Sequence, residues 1–379
     1  MHPTRIFPLL GILILTEFAM AQQSRLLFIG TQTRLGGKGI YSLAMDASTG
    51  ALGEAQVAVE CENPTFIARH PSKDFLYAVA EVANRDGGGA VSAFRVEPGQ
   101  ARLSPLNTVG SGGKGPCFVS VDGGGRWAFS ANYGSGALAA LPILPDGSLG
   151  SPSSVIQDEG KGAHPKRQSG PHAHSIKMDP TGRYAFACDL GIDKVLSFKI
   201  DPAGPKLVAN DPSAFATHPG AGPRHFSFHP SGKWVVIANE LDTTVTFCRY
   251  DGEKGLFTEL ASVPALPKEI DATNNSLSEI AFHPSGKFFY AANRGHDSIA
   301  VFETGDPTLP GYAPRLIEAI PCGGKVPRHF ALSPDGRFLV TANQNSGNLA
   351  VLAVDAATGR LKPTAVSVAL PGASCVLFY

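Results

Sequence analysis

Five side chains suited to proton transfer or to gripping an oxyanion recur at related places along this chain: His174, Arg224, Glu240, Arg294 and Arg328. Histidine titrates near neutrality when unperturbed, which makes His174 the natural proton-transfer group. The three arginines offer planar forks that match a carboxylate, a phosphate or the developing oxyanion of an ester carbonyl. Glu240 has three available roles: orienting the histidine, activating water, or holding Arg224. The blander readings are an ordinary Arg224–Glu240 ion pair and a satisfied histidine in a polar setting. His172 shares a strand face with His174 and raises the question of a metal, but no third ligand is evident among mostly cationic neighbours. No metal and no cofactor is therefore expected. There is no Ser-His-Asp arrangement with nucleophile-elbow spacing, and the glycine tracts at 87–89 and 123–125 lack the context of a phosphate loop.

These residues matter together only if the fold brings them together, and an internal repeat says that it does. PTFIARHPSKDFLYAVAE (64–81), PCFVSVDGGGRWAFSANY (116–133), AHSIKMDPTGRYAFACDL (173–190), PRHFSFHPSGKWVVIANE (223–240), LSEIAFHPSGKFFYAANR (277–294) and PRHFALSPDGRFLVTANQ (327–344) align without gaps. The Pro or Gly of the central turn falls at 71, 123, 180, 230, 284 and 334, a spacing of 50 to 57 residues that suits a propeller blade. Each copy reads as a hairpin of an alternating strand, a tight turn and a more continuously apolar strand. A third strand follows in every unit, and there are seven of these, from GIYSLAM to NLAVLAV. The surplus unit at the N-terminus has LLFIGTQT as its second strand and finds its first in SCVLFY (374–379). The expected fold is all-β: a seven-bladed β-propeller of four-stranded blades over residues 22–379, with the N- and C-terminal strands sharing one blade and closing the ring.

In a propeller the first strand of each blade lines the central channel. Counting from the turn, one channel position reads Thr65, Cys117, His174, Arg224, Ser278, Arg328; its expected cross-strand partner, ~5 Å away between Cβ atoms, reads Glu81, Tyr133, Leu190, Glu240, Arg294, Gln344. The neighbouring Ala-Asn pairs at 131–132, 238–239, 292–293 and 342–343, with Asp189 in the same slot, serve the architecture. The two variable positions do not, and ionic groups converging on a channel mouth are costly to desolvate unless a ligand or a tight ion-pair network completes them. His174, Glu240, Arg224 and Arg294 are the expected catalytic set; Arg328, His172, Gln344, Glu81, Tyr133 and the rim lysines Lys114 and Lys325 are expected to contact substrate. His70, His229 and His283 precede the turn and read as turn or packing residues. His225 and His329 of the doubled PRHF fall on the opposite strand face from the arginines and are set outside the site.

Composition narrows the partner. Lys+Arg and Asp+Glu are both 32, with no block of like charge, so the basic footprint of a nucleic-acid binder is missing and a small anionic or lactone substrate is the better expectation. Residues 1–21 read as a signal peptide, with Arg5, an apolar run from Ile6 to Leu15 and Ala19-Met20-Ala21 as the cleavage signal, so the mature chain is expected to begin at Gln22 and to be exported. No later stretch is long enough to cross a membrane, and a monomer is expected. The six cysteines are spread with no clustered spacing, and most of them read as small buried residues, with no disulfide framework.

The motifs GTQT, GIYSLAMD, GPHAH, GPRHFSFHPSGKWVVIANEL and PRHFALSPDGRFLVTANQ, taken together from about residue 26 to the end, resemble the lactonase family of seven-bladed propellers. That family includes a 6-phosphogluconolactonase and a carboxymuconate lactonizing enzyme. The resemblance implies a metal-free channel site acting on a lactone or its open acid, with His174, Arg224, Arg294 and Glu240 as its functional residues. The opening GTQT departs from the family in carrying Gln where Tyr is usual. The expected activity is an exported lactone hydrolase; the rivals are a lactonizing cycloisomerase using the same groups and a non-catalytic propeller that binds an acidic metabolite or a partner.

Overall fold

A computed structural model describes residues 24–85, 88–201, 204 and 206–379. The expected leader and the cleavage point before Gln22 lie outside the described residues. Each sequence repeat folds as the inner hairpin of an antiparallel sheet, and two further strands extend the sheet outwards. In blade 5, for example, the order from the channel is Pro223–Phe228, Trp234–Asn239, Thr244–Asp251 and Leu256–Pro264. Seven such four-stranded sheets form among the described residues, so the fold is the expected seven-bladed β-propeller. The closing blade takes its inner strand, Ala373–Phe378, from the far end of the chain. It pairs with Ser24–Thr31 in the register Leu27↔Phe378, Phe28↔Leu377, Ile29↔Val376, which leaves no open edge between first and last blades.

The second strand of each hairpin is apolar on both faces because it is packed between two neighbouring blades. Seven apolar clusters result, one at each blade–blade junction. Between blades 5 and 6, Val236 and Phe247 meet Ile280, Phe289 and Phe302, and the last two rings stack at 4.6 Å. All six cysteines are free thiols, five of them buried and Cys61 partly exposed.

The turn histidines clasp one blade to the next. His229 Nδ1 accepts from Ser231 N (3.0 Å) within its own turn, while Nε2 lies 3.1 Å from the Gly286 carbonyl of the following blade. His70 with Gly125 and His283 with Gly336 repeat the contact at 3.0 and 3.1 Å. The glycine is required here: Gly286 has φ +72°, and a Cβ would fall 2.3 Å from His229 Nε2.

The inner strands depart from the expected register, and the departure sets up the site. Pairing jumps from Pro116 to Phe118, Ala173 to Ser175, Pro223 to His225 and Pro327 to His329, so Cys117, His174, Arg224 and Arg328 are each the extra residue of a β-bulge. Blade 6 skips Ser278 and Glu279. Arg224 is therefore not opposite Glu240; Glu240 N instead donates to Gly222 O at 2.7 Å. The bulge also cancels strict alternation, so Arg224 and His225 both reach the channel.

Gly286→Ala is expected to lower stability by about 1–3 kcal/mol through left-handed strain and loss of the histidine clasp, measured by thermal melting. Activity per folded molecule should hold, since the turn lies at the end of the channel remote from the bulges. A melting curve superimposable on wild type would show that the clasp is dispensable.

Candidate functional site

Glu240, the first residue after the second strand of blade 5, is buried and carries three guanidinium groups. Its Oε1 accepts from Arg167 Nη2 at 2.7 Å, and its Oε2 lies 2.8 Å from Arg294 Nη2 and 3.0 Å from Arg224 Nε. Burial alone pushes the carboxyl up, but Arg294 and Arg224 together outweigh it and hold Glu240 well below the ordinary carboxylate range. The arginines are fixed in turn by backbone carbonyls of blade 6: Arg224 Nη1 donates to Ser278 O (2.6 Å) and Arg294 Nη2 to Leu277 O (2.7 Å). Burial and the neighbouring Arg294 lower Arg224, yet Glu240 opposes that shift and the guanidinium stays charged at neutral pH. Arg224 Nε, although close to Glu240, does not aim its N–H at it; this N–H and Arg294 Nε are buried donors with no acceptor among the described residues.

His174 is buried on the neighbouring blade. Burial first, then Arg224, lowers it well below the usual histidine range, so the imidazole is neutral at physiological pH. Its Nδ1 is 3.7 Å from the Cys117 thiol, which burial pushes up to about 12, so the sulfur is a thiol and not a thiolate. Tyr133 packs edge-on to the ring at 5.6 Å and His225 at 5.1 Å. No hydrogen bond joins His174 to Glu240. Of the three roles open to Glu240, the geometry selects holding the arginines, because its oxygens are occupied by three cations.

The remaining sequence candidates divide into two groups. Arg328 and Glu81 face each other from blades 7 and 2 at 3.7 Å, and Tyr133 receives Arg167 Nη2 on its hydroxyl at 3.0 Å while stacking on His172 at 4.4 Å. These four stand with the central cluster. At the rim, Lys325 is bound to Asp297 (3.1 Å), Lys114 is exposed, and Gln344 accepts from Gln32 Nε2 (3.0 Å), so the three stand apart from it. Gln32 is the unusual glutamine of GTQT.

The bulges shift the register of the two PRHF strands, so His225 and His329 do not take the strand face expected of them. His225 is buried and His329 partly so, and Glu279 Oε2 bridges them at 2.8 and 3.2 Å. Phe66 packs edge-on against both rings, and Phe118 packs against His225. They form the floor beneath His174 and Arg224. Arg167 was missed outright, because it lies in a connection between blades that no repeat alignment reaches. Among the described residues, no three His, Cys, Asp or Glu side chains converge as metal ligands.

A family profile described as lactonase, seven-bladed β-propeller, matches residues 26–378. The chain belongs to that family. This lactonase-family chain is 38% identical to the 6-phosphogluconolactonase of Bacillus subtilis over 354 residues, covering 93% of this chain and 97% of that protein. A 6-phosphogluconolactonase of Formosa agariphila is 30% identical over 360 residues, covering 93% and 99%. In structure it is similar to the periplasmic gluconolactonase of Pseudomonas aeruginosa, with a TM-score of 0.86 at 30% identity, covering 94% and 99%.

One further pair supports the site wall. In three blades an asparagine side chain, Asn132, Asn293 or Asn343, holds the incoming connection; in blade 4 the slot is Asp189, whose Oδ1 accepts from His172 N (2.7 Å) and Gly191 N (2.8 Å). Asp158 packs against it, and the Oδ2 atoms of both are buried without a donor. One proton shared between them would satisfy both oxygens. Burial, then Asp189, pushes Asp158 up to about 9, against Lys194; burial also raises Asp189, against its backbone donors and His172. The folded pair thus keeps a proton that the unfolded chain releases near pH ~4. Stability is expected to fall as pH rises from about 4 towards 9. Asp158→Asn supplies an N–H in place of that proton and should flatten this slope, read from melting temperatures across pH 5 to 9. Parallel wild-type and variant profiles would rule out the shared proton.

Proposed function

We propose that the protein opens a lactone ring at the channel mouth, with 6-phosphogluconolactone-like sugar lactones as the substrate class. As a member of the lactonase family it is a carboxylic-ester hydrolase. The observation that carries the mechanism is the pair of buried donors, Arg224 Nε and Arg294 Nε, that Glu240 leaves unused beside a neutral imidazole. His174 takes a proton from water, and the resulting hydroxide attacks the lactone carbonyl carbon. The negative charge that moves to the carbonyl oxygen is met by Arg224 and Arg294, worth about 3–4 kcal/mol per well-placed donor in comparable sites. The ring C–O bond then breaks, the imidazolium returns its proton to the departing alkoxide, and the product is the open hydroxy acid. Glu240 stays ionised throughout and holds the two arginines in place.

His174→Ala is expected to lower kcat/KM on a hydrolysed lactone by about 10² to 10⁴-fold, and Arg294→Ala by about 10² to 10³-fold, each with cooperative melting retained. Because His174 is held neutral, the acid limb of the wild-type kcat/KM profile should lie well below the usual histidine range. Undiminished turnover in both variants would remove the proposed site.

We also propose that the protein works after export. The supports are the apolar run and cleavage signal before Gln22 and the periplasmic location in the name of the Pseudomonas relative. Expression with the native leader followed by cell fractionation should recover a chain starting at Gln22 outside the cytoplasm; full-length protein in the cytoplasm would refute it.

A further inference from the structure

The connections from the outer strand of one blade to the inner strand of the next are short in most of the ring: residues 61–66, 111–115, 217–222 and 322–326. Between blades 3 and 4 the connection runs from 158 to 172, about ten residues longer. It is tied at both ends and in the middle. Asp189 touches Asp158 at its start and His172 N at its end. Gln168, itself buried, donates to Leu190 O (2.7 Å) and Asp193 Oδ1 (2.5 Å) and accepts from His164 N (2.6 Å). His164 Nδ1 accepts from Lys166 N and Arg167 N, which turns the chain so that the residue beside Gln168 faces the channel.

That residue is Arg167. Its Nη2 bridges Glu240 Oε1 (2.7 Å) and the Tyr133 hydroxyl (3.0 Å), while Nε and Nη1 take no acceptor among the described residues. The side chain is 42% exposed, against 2% for Arg224 and 16% for Arg294. One face of the guanidinium is thus fixed to the catalytic cluster and the other looks into solvent at the mouth. The surrounding charge is unbalanced. Arg167, Arg224, Arg294, Arg328 and Lys177 are set against Glu81, Glu240 and Glu279, leaving room for an anion.

We propose that Arg167 is the specificity residue of this site, binding through its free nitrogens an anionic substituent on the lactone, a phosphate or a carboxylate, while the ring carbonyl lies at Arg224 and Arg294. This rests on the lactonase reading above and adds to it a division of labour. The buried arginines serve the reacting carbonyl, and the strap arginine reads the distal charge. A planar fork held on one side by Glu240 and Tyr133 loses little conformational freedom when the other side binds, which favours selectivity at small entropic cost.

The test compares wild type, Arg167→Ala and Arg167→Lys on three δ-lactones of the same ring: neutral, phosphorylated and carboxylated. Arg167→Ala is expected to lower kcat/KM on one or both anionic rings at least about tenfold more than on the neutral ring, chiefly through KM, with Lys recovering part of the difference. Whichever anionic ring shows the excess identifies the substituent. Equal loss on all three rings would overturn the proposal and make Arg167 a positioning residue for Glu240. Calorimetric binding of the phosphorylated and unphosphorylated open acids gives a readout independent of turnover. Should wild type hydrolyse no lactone, the hydrolase reading fails, while Arg167-dependent preference for the phosphorylated acid would still support the anion site. Absence of that preference in both assays would sink it.

Discussion

The arrangement depends on one buried carboxylate. Glu240 sits where water has been excluded, and a lone ion there would be costly; three guanidiniums from three different parts of the chain make it tolerable. The dependence runs both ways, because Arg224 is fully buried and Glu240 opposes the lowering that burial and Arg294 impose on its guanidinium. Breaking such a buried pair from one side typically costs about 3–5 kcal/mol, since the partner is left uncompensated. The cluster is therefore a rigid unit, suited to holding two N–H donors where an oxyanion would form. The ring architecture makes it affordable: Arg224 arrives on an inner strand, Glu240 and Arg294 at the ends of second strands, and Arg167 on the connection between blades 3 and 4, while apolar junctions behind the strands fix the hairpins.

The β-bulges are the device that turns a regular repeat into a site. A strictly alternating inner strand would send every second side chain into the channel and the rest between blades. With one extra residue inserted, His174, Arg224 and Arg328 leave the ladder, and their successors still pair. Arg224 can then enter the mouth while His225, next in sequence, forms the floor with Glu279 and His329. Serine side chains tie the bulges across blades: Ser175 Oγ donates to Arg224 O (2.8 Å) and Ser278 Oγ to Pro327 O (2.6 Å).

What the sequence made legible follows from this geometry. Blade number, ring closure and turn histidines were readable because each repeats with its local chemistry intact: a left-handed glycine, a histidine before the turn, an apolar second strand. His174, Arg224, Glu240, Arg294, Arg328, Glu81 and Tyr133 were readable because variation at a fixed repeat position marks residues the architecture does not need. The facing of Arg224 and Glu240 was wrong for a physical reason: a bulge leaves no distinctive residue at its extra position, and Cys117, His174, Arg224 and Arg328 share no side-chain property. The same error placed His225 and His329 on the wrong face. Arg167 was invisible because its position depends on Gln168 and on the Asp158–Asp189 pair, contacts made by a segment with no counterpart in the other blades. One signal was available, since Asp189 stands where four blades have Asn.

The charge state of the cluster constrains the kind of ester it suits. The burial and positive field that keep His174 neutral also make it a weak base, so in the proposed reaction it would take a proton from water with little driving force. The same field stabilises negative charge on a carbonyl oxygen beside Arg224 and Arg294. A site built this way gains most when the carbonyl is already electrophilic and the leaving oxygen needs only a returned proton. A lactone ring, locked in the less stable ester conformation, meets that requirement; an amide, with a resonance-protected carbonyl and a poorer leaving group, does not. A weak base next to a strong oxyanion site therefore selects for activated esters through electrostatics alone. It also explains why Glu240, the strongest anion in the channel, is bound into the arginines: a free carboxylate there would raise His174 towards its charged form and cancel the field on which the proposed reaction depends.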